Sequence, residues 1–163
     1  MKDVAHYFGK EFLREVDEKE FFDHLADVRA AVKNDREILR AIHFFNENNR
    51  VNTCVEKLNN DDFEGFKALI QESGNSSYKF LQNVYADFDY KNQAVSLGLA
   101  MSEMILKDHG VCRVHGGGFA GTIQAFVENG YVETYKEEIE KVFGKGSCHI
   151  LKVRKLGGCK VID

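Results

Sequence analysis

Apolar residues in the first hundred or so positions recur at steps of three and four, the spacing that places them on one face of an α-helix. The longest run predicts a helix that begins with Asn34 or Asp35 as its N-cap and ends at Asn59-Asn60. The apolar positions of this helix are Ile38, Ile42, Phe45, Val51, Cys54, Val55 and Leu58. The pattern predicts that residues 1–109 are mainly helical.

Two more helices are predicted before residue 110. One is capped by Asp61-Asp62 and has Phe63, Phe66, Leu69 and Ile70 on its apolar side. The other has Ala94, Leu97, Met101, Met104 and Ile105 on its apolar side. Gly110 is expected to be the C-cap of this last helix. Between the two helices, residues 73–77 (SGNSS) are predicted to form a loop, because Gly, Asn and Ser each favour turns over helix.

The pattern changes to short segments after residue 110. Residues 111–115 and 122–127 are rich in β-branched and aromatic residues, and they predict two strands on either side of a glycine-rich loop. A helix with Val132, Tyr135, Ile139, Val142 and Phe143 on its apolar face should follow. Residues 148–154 then predict a third strand, and Gly157-Gly158 a hairpin to a fourth. Residues 110–163 are thus predicted to run strand, loop, strand, helix, strand, strand.

This order predicts an α+β fold in which helices cover one face of a small antiparallel sheet. The chain has 163 residues, of which 44% are hydrophobic and 29% charged, and this composition is typical of one globular domain over residues 1–163. The net charge of −4, with scattered Lys and Arg, argues against a nucleic-acid partner. No apolar run is long enough for a membrane span and no signal peptide is recognisable, so the expected location is the cytoplasm.

Four glycines lie among residues 116–121, the sequence GGGFAG, which we call the glycine loop. Such a cluster is either a tight structural turn or a backbone nest whose N–H groups hold an anion such as phosphate. It also fits the G-x-G-x-x-G dinucleotide pattern, but the following TIQAFV has strand character where that pattern requires a helix. Together with His115 it spells the HGGG element of esterases, but the chain lacks their G-x-S-x-G nucleophile.

The other polar residues are given structural roles. His43 is predicted to be a packed or capping histidine, because no carboxylate at a suitable spacing accompanies it. Glu47 and Arg50, three residues apart, are predicted to form a surface ion pair. No metal site is predicted, because the spacing of the remaining candidates matches no zinc finger. Those candidates are Cys112, Cys148, His149 and Cys159. The cysteines are expected to be free thiols.

The segment Arg113–Val127, RVHGGGFAGTIQAFV, resembles the third conserved motif of the GHMP small-molecule kinases, in the version found in galactokinases. Arg113, Gly116, Gly117, Gly118, Phe119 and Gly121 match this motif. His115 stands where threonine is usual, and Ala120 where glycine is usual.

Three earlier segments resemble galactokinases in the same order and at about the same spacing. They are residues 4–16, residues 40–51 with their arginine, alanine and histidine helix, and residues 61–77. In the last of these, Gly74 stands where many members have histidine. The resemblance implies a GHMP-kinase C-terminal domain. It also implies that the N-terminal catalytic domain, with the sugar-binding motif and the ATP phosphate loop, is absent from this chain.

The resemblance implies an enzyme of galactose metabolism that transfers the γ-phosphoryl group of MgATP to the 1-hydroxyl of galactose. ATP and Mg²⁺ would be bound mainly by the missing N-terminal domain, and this chain alone would be inactive. It would supply no catalytic residue and no metal ligand. Its contribution would be the glycine loop, Gly116, Gly117, Gly118, Phe119, Ala120 and Gly121, lying near the sugar and the transferred phosphate, with Arg113 and His115 as supporting residues.

Two alternatives to galactokinase activity stay open. Galactokinase-like folds can serve as sugar and nucleotide sensors that no longer catalyse the reaction. The intact protein could also be another GHMP sugar kinase, acting on a galactose derivative or a different hexose.

Overall fold

The computed structural model describes residues 1–119 and 121–153 of the chain. Its helices are α1 (Lys2–Tyr7), α2 (Glu18–Asp23), α3 (Leu25–Val32), α4 (Asp35–Asn59), α5 (Phe63–Ser76), α6 (Ala94–Leu106) and α7 (Val132–Phe143). Its strands are β1 (Gly110–Val114) and β2 (Ile123–Val127). Short 3₁₀ turns lie at Leu13–Glu15, Lys107–His109 and Asn129–Tyr131, and a π-helical turn at Ser77–Leu81 follows α5.

The predicted starts of α4 and α5 are confirmed by their caps. The side chain of Asn34 accepts a hydrogen bond from the Glu37 amide, and that of Asp62 accepts one from the Gly65 amide. Each bond satisfies one of the N–H groups that the first turn of a helix leaves without a partner. The predicted end of α4 at Asn59 is also confirmed.

The loop predicted at residues 73–77 is wrong, because α5 continues to Ser76 and runs directly into the π-helical turn. The polar and small residues of this stretch make contacts between elements instead of forming a turn. Ser73 donates to Glu47 of α4, and Ser76 is hydrogen-bonded to His43. A Cβ on Gly74 would lie 3.1 Å from the Cβ of Arg113, so glycine here allows α5 to approach β1 closely.

The C-cap predicted at Gly110 is also wrong. Helix α6 ends at Leu106, and Lys107, with a φ of 48°, is its C-cap. Gly110 is extended and begins β1. A Cβ there would lie 2.3 Å from the carbonyl oxygen of Phe126, so this glycine permits the close pairing of the two strands.

Strands β1 and β2 pair antiparallel, with Gly110 opposite Val127 and Val114 opposite Ile123. Cys112 packs into a cluster with residues of α6 and α7, whereas Arg113 and Phe126 contact side chains of α5. The α+β class is confirmed. Helices pack on both faces of this two-stranded sheet, with α6 and α7 beside Cys112 and α5 beside Arg113 and Phe126, whereas the sequence predicts helices on one face only.

The third strand is not formed in the part of the chain that the structure describes: residues 148–153 have neither helix nor strand. Cys148 packs on the α6 and α7 cluster, but Leu151 and Val153 are 86% and 92% exposed. Strand-forming residues are stabilised by packing on a half-buried sheet, and this packing is missing here. The predicted hairpin at Gly157-Gly158 lies outside the described residues.

In the described ranges, the apolar interior is divided into three clusters. The largest, which we call the N-terminal core, joins α1 to α4 and includes Val4, Phe21, Val28, Ile38 and Phe45. A second cluster joins Leu106, Cys112, Tyr135 and Ile139, and a third joins Val84, Val95 and Val114 near the glycine loop. Within residues 1–119 and 121–153, no helix has both the length and the apolar composition needed to cross a bilayer.

Candidate functional site: the glycine loop

The glycine loop connects β1 to β2 at the end of the hairpin. The His115 amide donates to the Thr122 carbonyl oxygen at 3.1 Å and closes the hairpin below the loop. Gly116, Gly118 and Gly121 have φ values of 59°, 78° and 84°, in the left-handed region that glycine adopts without strain. The backbone therefore turns tightly here, as the glycine content predicts.

Gly118 is the glycine that the fold itself requires. It is buried, and a Cβ on it would lie 1.9 Å from the carbonyl oxygen of Asn83. The same carbonyl oxygen accepts a hydrogen bond of 3.0 Å from the Phe119 amide. The loop is thus anchored on Asn83, which lies between the π-helical turn and α6.

The other three glycines of the loop are open to solvent. A Cβ on Gly116, Gly117 or Gly121 would meet no atom within 4 Å. Gly117 also lies outside the left-handed region, so neither strain nor crowding within the chain explains a glycine at this position. Nor do the N–H groups of these three glycines have an acceptor among residues 1–119 and 121–153. Ala120, the remaining member of the predicted site, lies outside the described residues.

The side chains beside the open glycines are exposed. Phe119 is 59% exposed and has a φ of 24°, so its ring is held at the surface by a strained backbone. The His115 side chain is exposed, and its Nδ1 lies 3.4 Å from Oε1 of Gln124 on β2. The loop therefore presents one aromatic ring and one imidazole beside the N–H groups of Gly116, Gly117 and Gly121, which have no acceptor in the described part of the chain.

Arg113, predicted as a supporting residue, points away from the glycine loop. Its Nε donates to the Val114 carbonyl oxygen at 3.1 Å, and its Nη1 donates to Ser73 Oγ at 2.5 Å. Ser73 in turn donates to the two carboxylate oxygens of Glu47 at 2.8 and 2.9 Å. Arg113 thus ties β1 to α5 and, through Ser73, to α4.

Glu47 and Arg50 do not form the surface ion pair that the sequence predicts. Their side chains are only 25% and 12% exposed, and Arg50 Nη1 lies 2.9 Å from Glu47 Oε1. Together with four neighbouring side chains they form what we call the polar cluster, which connects α4, α5 and β1. The polar cluster consists of His43, Glu47, Arg50, Ser73, Ser76 and Arg113.

His43 is a packed histidine, as predicted, but it does have a carboxylate neighbour. It is 9% exposed, its Nδ1 lies 2.9 Å from Ser76 Oγ, and its Nε2 lies 3.6 Å from Glu47 Oε2. Burial lowers the pKa of His43 below its ordinary value, against the opposing effect of Glu47. Burial would raise the pKa of Glu47, but hydrogen bonds from Ser73 and Arg50 hold it below its ordinary value. Glu47 is therefore ionised and His43 neutral at pH 7.

Metal ligands are not brought together in the described part of the chain. No group of three or more His, Cys, Asp or Glu side chains lies close enough there to hold an ion. Cys54, Cys112 and Cys148 are free thiols. Burial raises the pKa of Cys112 to about 12, so this thiol stays protonated and unreactive in the folded protein.

Sequence reasoning missed Ser73 and Asn83. Ser73 and Ser76 continue the three- and four-residue spacing of Phe66 and Leu69, so helical periodicity carried through residue 76 would have placed them on the inner face of α5. Asn83 lies in an irregular segment between α5 and α6, and no local pattern marks it.

The chain is similar to galactokinases. It is 28% identical over 142 residues to the galactokinase of Glaesserella parasuis serovar 5 (strain SH0165), a match that covers 87% of this chain and 35% of that protein. The galactokinase of Actinobacillus pleuropneumoniae serotype 5b (strain L20) gives the same values. That of Haemophilus influenzae (strain ATCC 51907) is 26% identical over 144 residues, which cover 88% of this chain and 35% of that protein. No model of a known protein family matches the chain.

These comparisons confirm the resemblance to the C-terminal part of galactokinases. The chain spans about a third of the length of the curated relatives it matches. The similarity to galactokinases extends over most of the residues of this chain rather than only the glycine loop.

Proposed function

We propose that this chain is the C-terminal domain of a galactokinase, which transfers the γ-phosphoryl group of MgATP to the 1-hydroxyl of galactose. The observation that carries this proposal is the open side of the glycine loop. Gly117 has an unstrained backbone and free space around it, so a side chain there would cost the folded chain little. The absence of a side chain at Gly117 is explained if a group from outside the chain approaches the loop backbone at this point.

The chemistry of the loop suits a phosphoryl group. The N–H groups of Gly116, Gly117 and Gly121 have no acceptor among the described residues, and such groups around a concave turn hold anions. Phosphoryl transfer depends mainly on positioning and on neutralising the charge that spreads over the phosphoryl oxygens. In our proposal, backbone donors of this loop stabilise that charge on one side of the reacting groups.

We assign most of the catalytic machinery to a part of the protein outside this chain. Among the described residues no group of three or more His, Cys, Asp or Glu side chains lies close enough to hold a metal ion, and we assign Mg²⁺ to the N-terminal domain and to ATP itself. When bound, Mg²⁺ neutralises phosphate charge. This chain would contribute the wall of the active site formed by the glycine loop, and by itself it would be inactive.

A cytoplasmic location is part of the proposal, because it supplies ATP and a reducing environment. The free thiols of Cys54, Cys112 and Cys148 support it, since exported proteins usually pair their cysteines.

The first experiment replaces Gly117 by Val in the complete protein. We expect kcat/KM for galactose to fall at least about 100-fold, because the side chain would occupy the space that the sugar and phosphoryl group must enter. The melting temperature should stay the same, since the position is open and unstrained. Sugar phosphate and ADP formation would be measured, together with thermal unfolding.

Gly130→Val is the matched control. Gly130 is also exposed, also has no atom within 4 Å of a Cβ and also has no left-handed φ, but it lies beyond the far end of β2. This control should keep wild-type activity. If Gly117→Val is as active as Gly130→Val, the loop has no role in the reaction. A wild-type protein that binds galactose and ATP without forming product would be a sensor. Turnover of another hexose in preference to galactose would indicate another sugar kinase.

A further inference from the structure

Asn83 carries a buried side-chain amide without a hydrogen-bond partner among residues 1–119 and 121–153. The residue is 2% exposed, and neither its Oδ1 nor its Nδ2 has a hydrogen-bond partner in the described part of the chain. A buried donor or acceptor without a partner costs about 1–3 kcal/mol. An asparagine at this position therefore needs an explanation that the folded chain alone does not provide.

The backbone conformation does not provide this explanation. Asparagine is often selected where φ is positive, but the left-handed residue of this turn is Gln82, with a φ of 53°. Gln82 also ends the π-helical turn, through a bond of 2.7 Å from its amide to the Ser77 carbonyl oxygen. Leucine has the same number of side-chain heavy atoms as asparagine and the same branching at Cγ, so it would occupy the site without the unpaired polar atoms.

The location of Asn83 connects its side chain with the glycine loop. Its carbonyl oxygen accepts from the Phe119 amide, and its Cβ lies 2.9 Å from where a Cβ of Gly118 would be. Val84, the next residue, is buried in the third apolar cluster, and this packing fixes the position of the Asn83 backbone. The amide group is therefore buried directly beside the loop backbone.

The loop contains a donor suited to this amide. The Gly118 N–H donates to the His115 carbonyl oxygen at 3.4 Å, which is long for such a bond and therefore weak. Gly118 also lies against Asn83, since a Cβ on it would be 2.9 Å from the Asn83 Cβ. A change in the loop that breaks the weak bond to His115 would free this N–H for the neighbouring amide.

We propose that Asn83 is a positioning residue that fixes the glycine loop in its substrate-bound conformation. In that conformation Asn83 Oδ1 accepts from the Gly118 N–H, and Nδ2 donates to a carbonyl oxygen of the loop. The side-chain amide of Asn83 would thus be paired only in the loop conformation that binds the sugar and the transferred phosphoryl group. This inference rests on the proposed function, because the same loop and the same ligands are involved.

The test compares wild type, Asn83→Leu and Ser96→Ala in the complete protein. Asn83→Leu removes both polar atoms and keeps the residue large, so its stability to urea should equal or exceed that of the wild type. Its kcat should fall about 10- to 100-fold, with KM for galactose changed less than about threefold, because the ligands still bind but the loop is not held. Ser96→Ala removes another buried, unpaired oxygen, on α6, and should leave kcat unchanged.

A second measurement does not depend on turnover. Amide hydrogen exchange of residues 115–119 would be followed with and without galactose and a non-hydrolysable ATP analogue. In the wild type the ligands should slow exchange of the Gly118 amide at least about tenfold, and in Asn83→Leu they should not. If Asn83→Leu does not fold, Asn83→Ala, which adds no bulk, takes its place.

The outcomes separate this inference from the proposed function. An active wild type whose Asn83→Leu variant keeps kcat within twofold and shows the same protection of Gly118 overturns the positioning role alone. Lower stability of Asn83→Leu with unchanged kcat assigns Asn83 to folding only, and also overturns it. A wild type that neither binds nor phosphorylates any sugar of a hexose panel overturns both.

Discussion

At the scale of single residues, the positions of the loop are occupied by glycine for different reasons. Gly118 combines a left-handed φ with contact to Asn83, so the fold requires glycine there. Gly117 has neither property, and the fold does not require glycine there. A sequence motif gives all of these positions the same weight, whereas the structure divides them into one anchor and an open surface.

Replacing Gly118 by Ala should destabilise the folded protein. The new Cβ would meet the Asn83 carbonyl oxygen at 1.9 Å, so backbone must shift and strain of about 1–3 kcal/mol is expected. Gly117→Ala should change the free energy of unfolding by less than about 0.5 kcal/mol, as an open surface position does. Urea unfolding of both variants checks this pair. Equal stability of the two variants would contradict the anchoring of the loop on Asn83.

At the scale of elements, the polar cluster connects α4, α5 and β1. Arg113 bonds to Ser73, Ser73 to Glu47 and Ser76 to His43, so three elements that are distant in sequence share one set of hydrogen bonds. Because β1 leads directly into the glycine loop, this set also fixes the strand on which the loop is built. The cluster contains one neutral histidine and one ionised carboxylate, and the pH dependence of its stability follows from both.

Acid should weaken the fold through this cluster. The pKa of His43 is lower in the folded protein than in the unfolded chain, so below about pH 6.5 the unfolded chain binds a proton that the folded protein does not. Stability should therefore fall as the pH drops from 7.5 to 5. The pKa of Glu47 is also lowered in the folded protein, so a further loss of stability is expected below pH 4.5, the ordinary pKa of a glutamate.

His43→Gln isolates the histidine contribution, because glutamine can still bond to Ser76 but does not titrate. We expect its free energy of unfolding to fall less between pH 7.5 and 5 than that of the wild type, as measured by urea titration at each pH. His149→Gln changes an exposed histidine outside the cluster and should keep the wild-type pH dependence. Identical pH profiles for wild type and His43→Gln would show that His43 is not the acid-sensitive group.

The same elements show how much the sequence could predict. Helix α4 was predicted at both ends, because its apolar spacing and its Asn34 cap are local signals. Strands β1 and β2 and the loop between them were predicted for the same reason. Residues 73–77 were not, since their polar side chains bond to partners about 26 and 33 residues away, which no local pattern encodes. The strand predicted at 148–154 is not formed over residues 148–153, where Leu151 and Val153 are exposed and do not pack on a sheet.

The glycine loop was also predicted only in part. Its motif revealed the resemblance to galactokinases, and the site that it predicts stays a prediction. Nothing in the sequence indicated that Arg113, expected as a supporting residue, bonds to Ser73. Asn83 could not be found, because its role depends on the contact of an irregular segment with a hairpin some thirty-five residues later. Whether the whole chain forms one domain stays a prediction.

At the scale of the whole molecule, the apolar interior is not continuous. Among the described residues, the N-terminal core shares no member with the clusters around α6, α7 and the hairpin. Cys112 belongs to the second cluster and is 2% exposed, with the pKa of its thiol raised by burial to about 12. Cys112 is therefore a reporter for opening of the hairpin side of the molecule.

Cys112 should resist thiol reagents until this side of the molecule unfolds. In native buffer at pH 8 we expect its alkylation to be at least about 100-fold slower than in urea, because the buried thiol is both inaccessible and protonated. Cys54 and Cys148, which are half-buried, should react sooner. Pulse alkylation followed by peptide mass spectrometry would measure each site. Rapid native labelling of Cys112 would contradict the packing of β1 against α6 and α7.

The path of α4 has a consequence for engineering. Its first turns place Ile38 and Phe45 in the N-terminal core, and its next turn places Glu47 and Arg50 in the polar cluster, so this one helix belongs to both halves of the molecule. Heat tolerance gained by improved packing among α1, α2 and α3 should leave the packing of the hairpin largely as it is, since the two sides share no cluster member among the described residues. The stability of the N-terminal core and that of the hairpin side should then respond to separate sets of substitutions, one on each side of this helix.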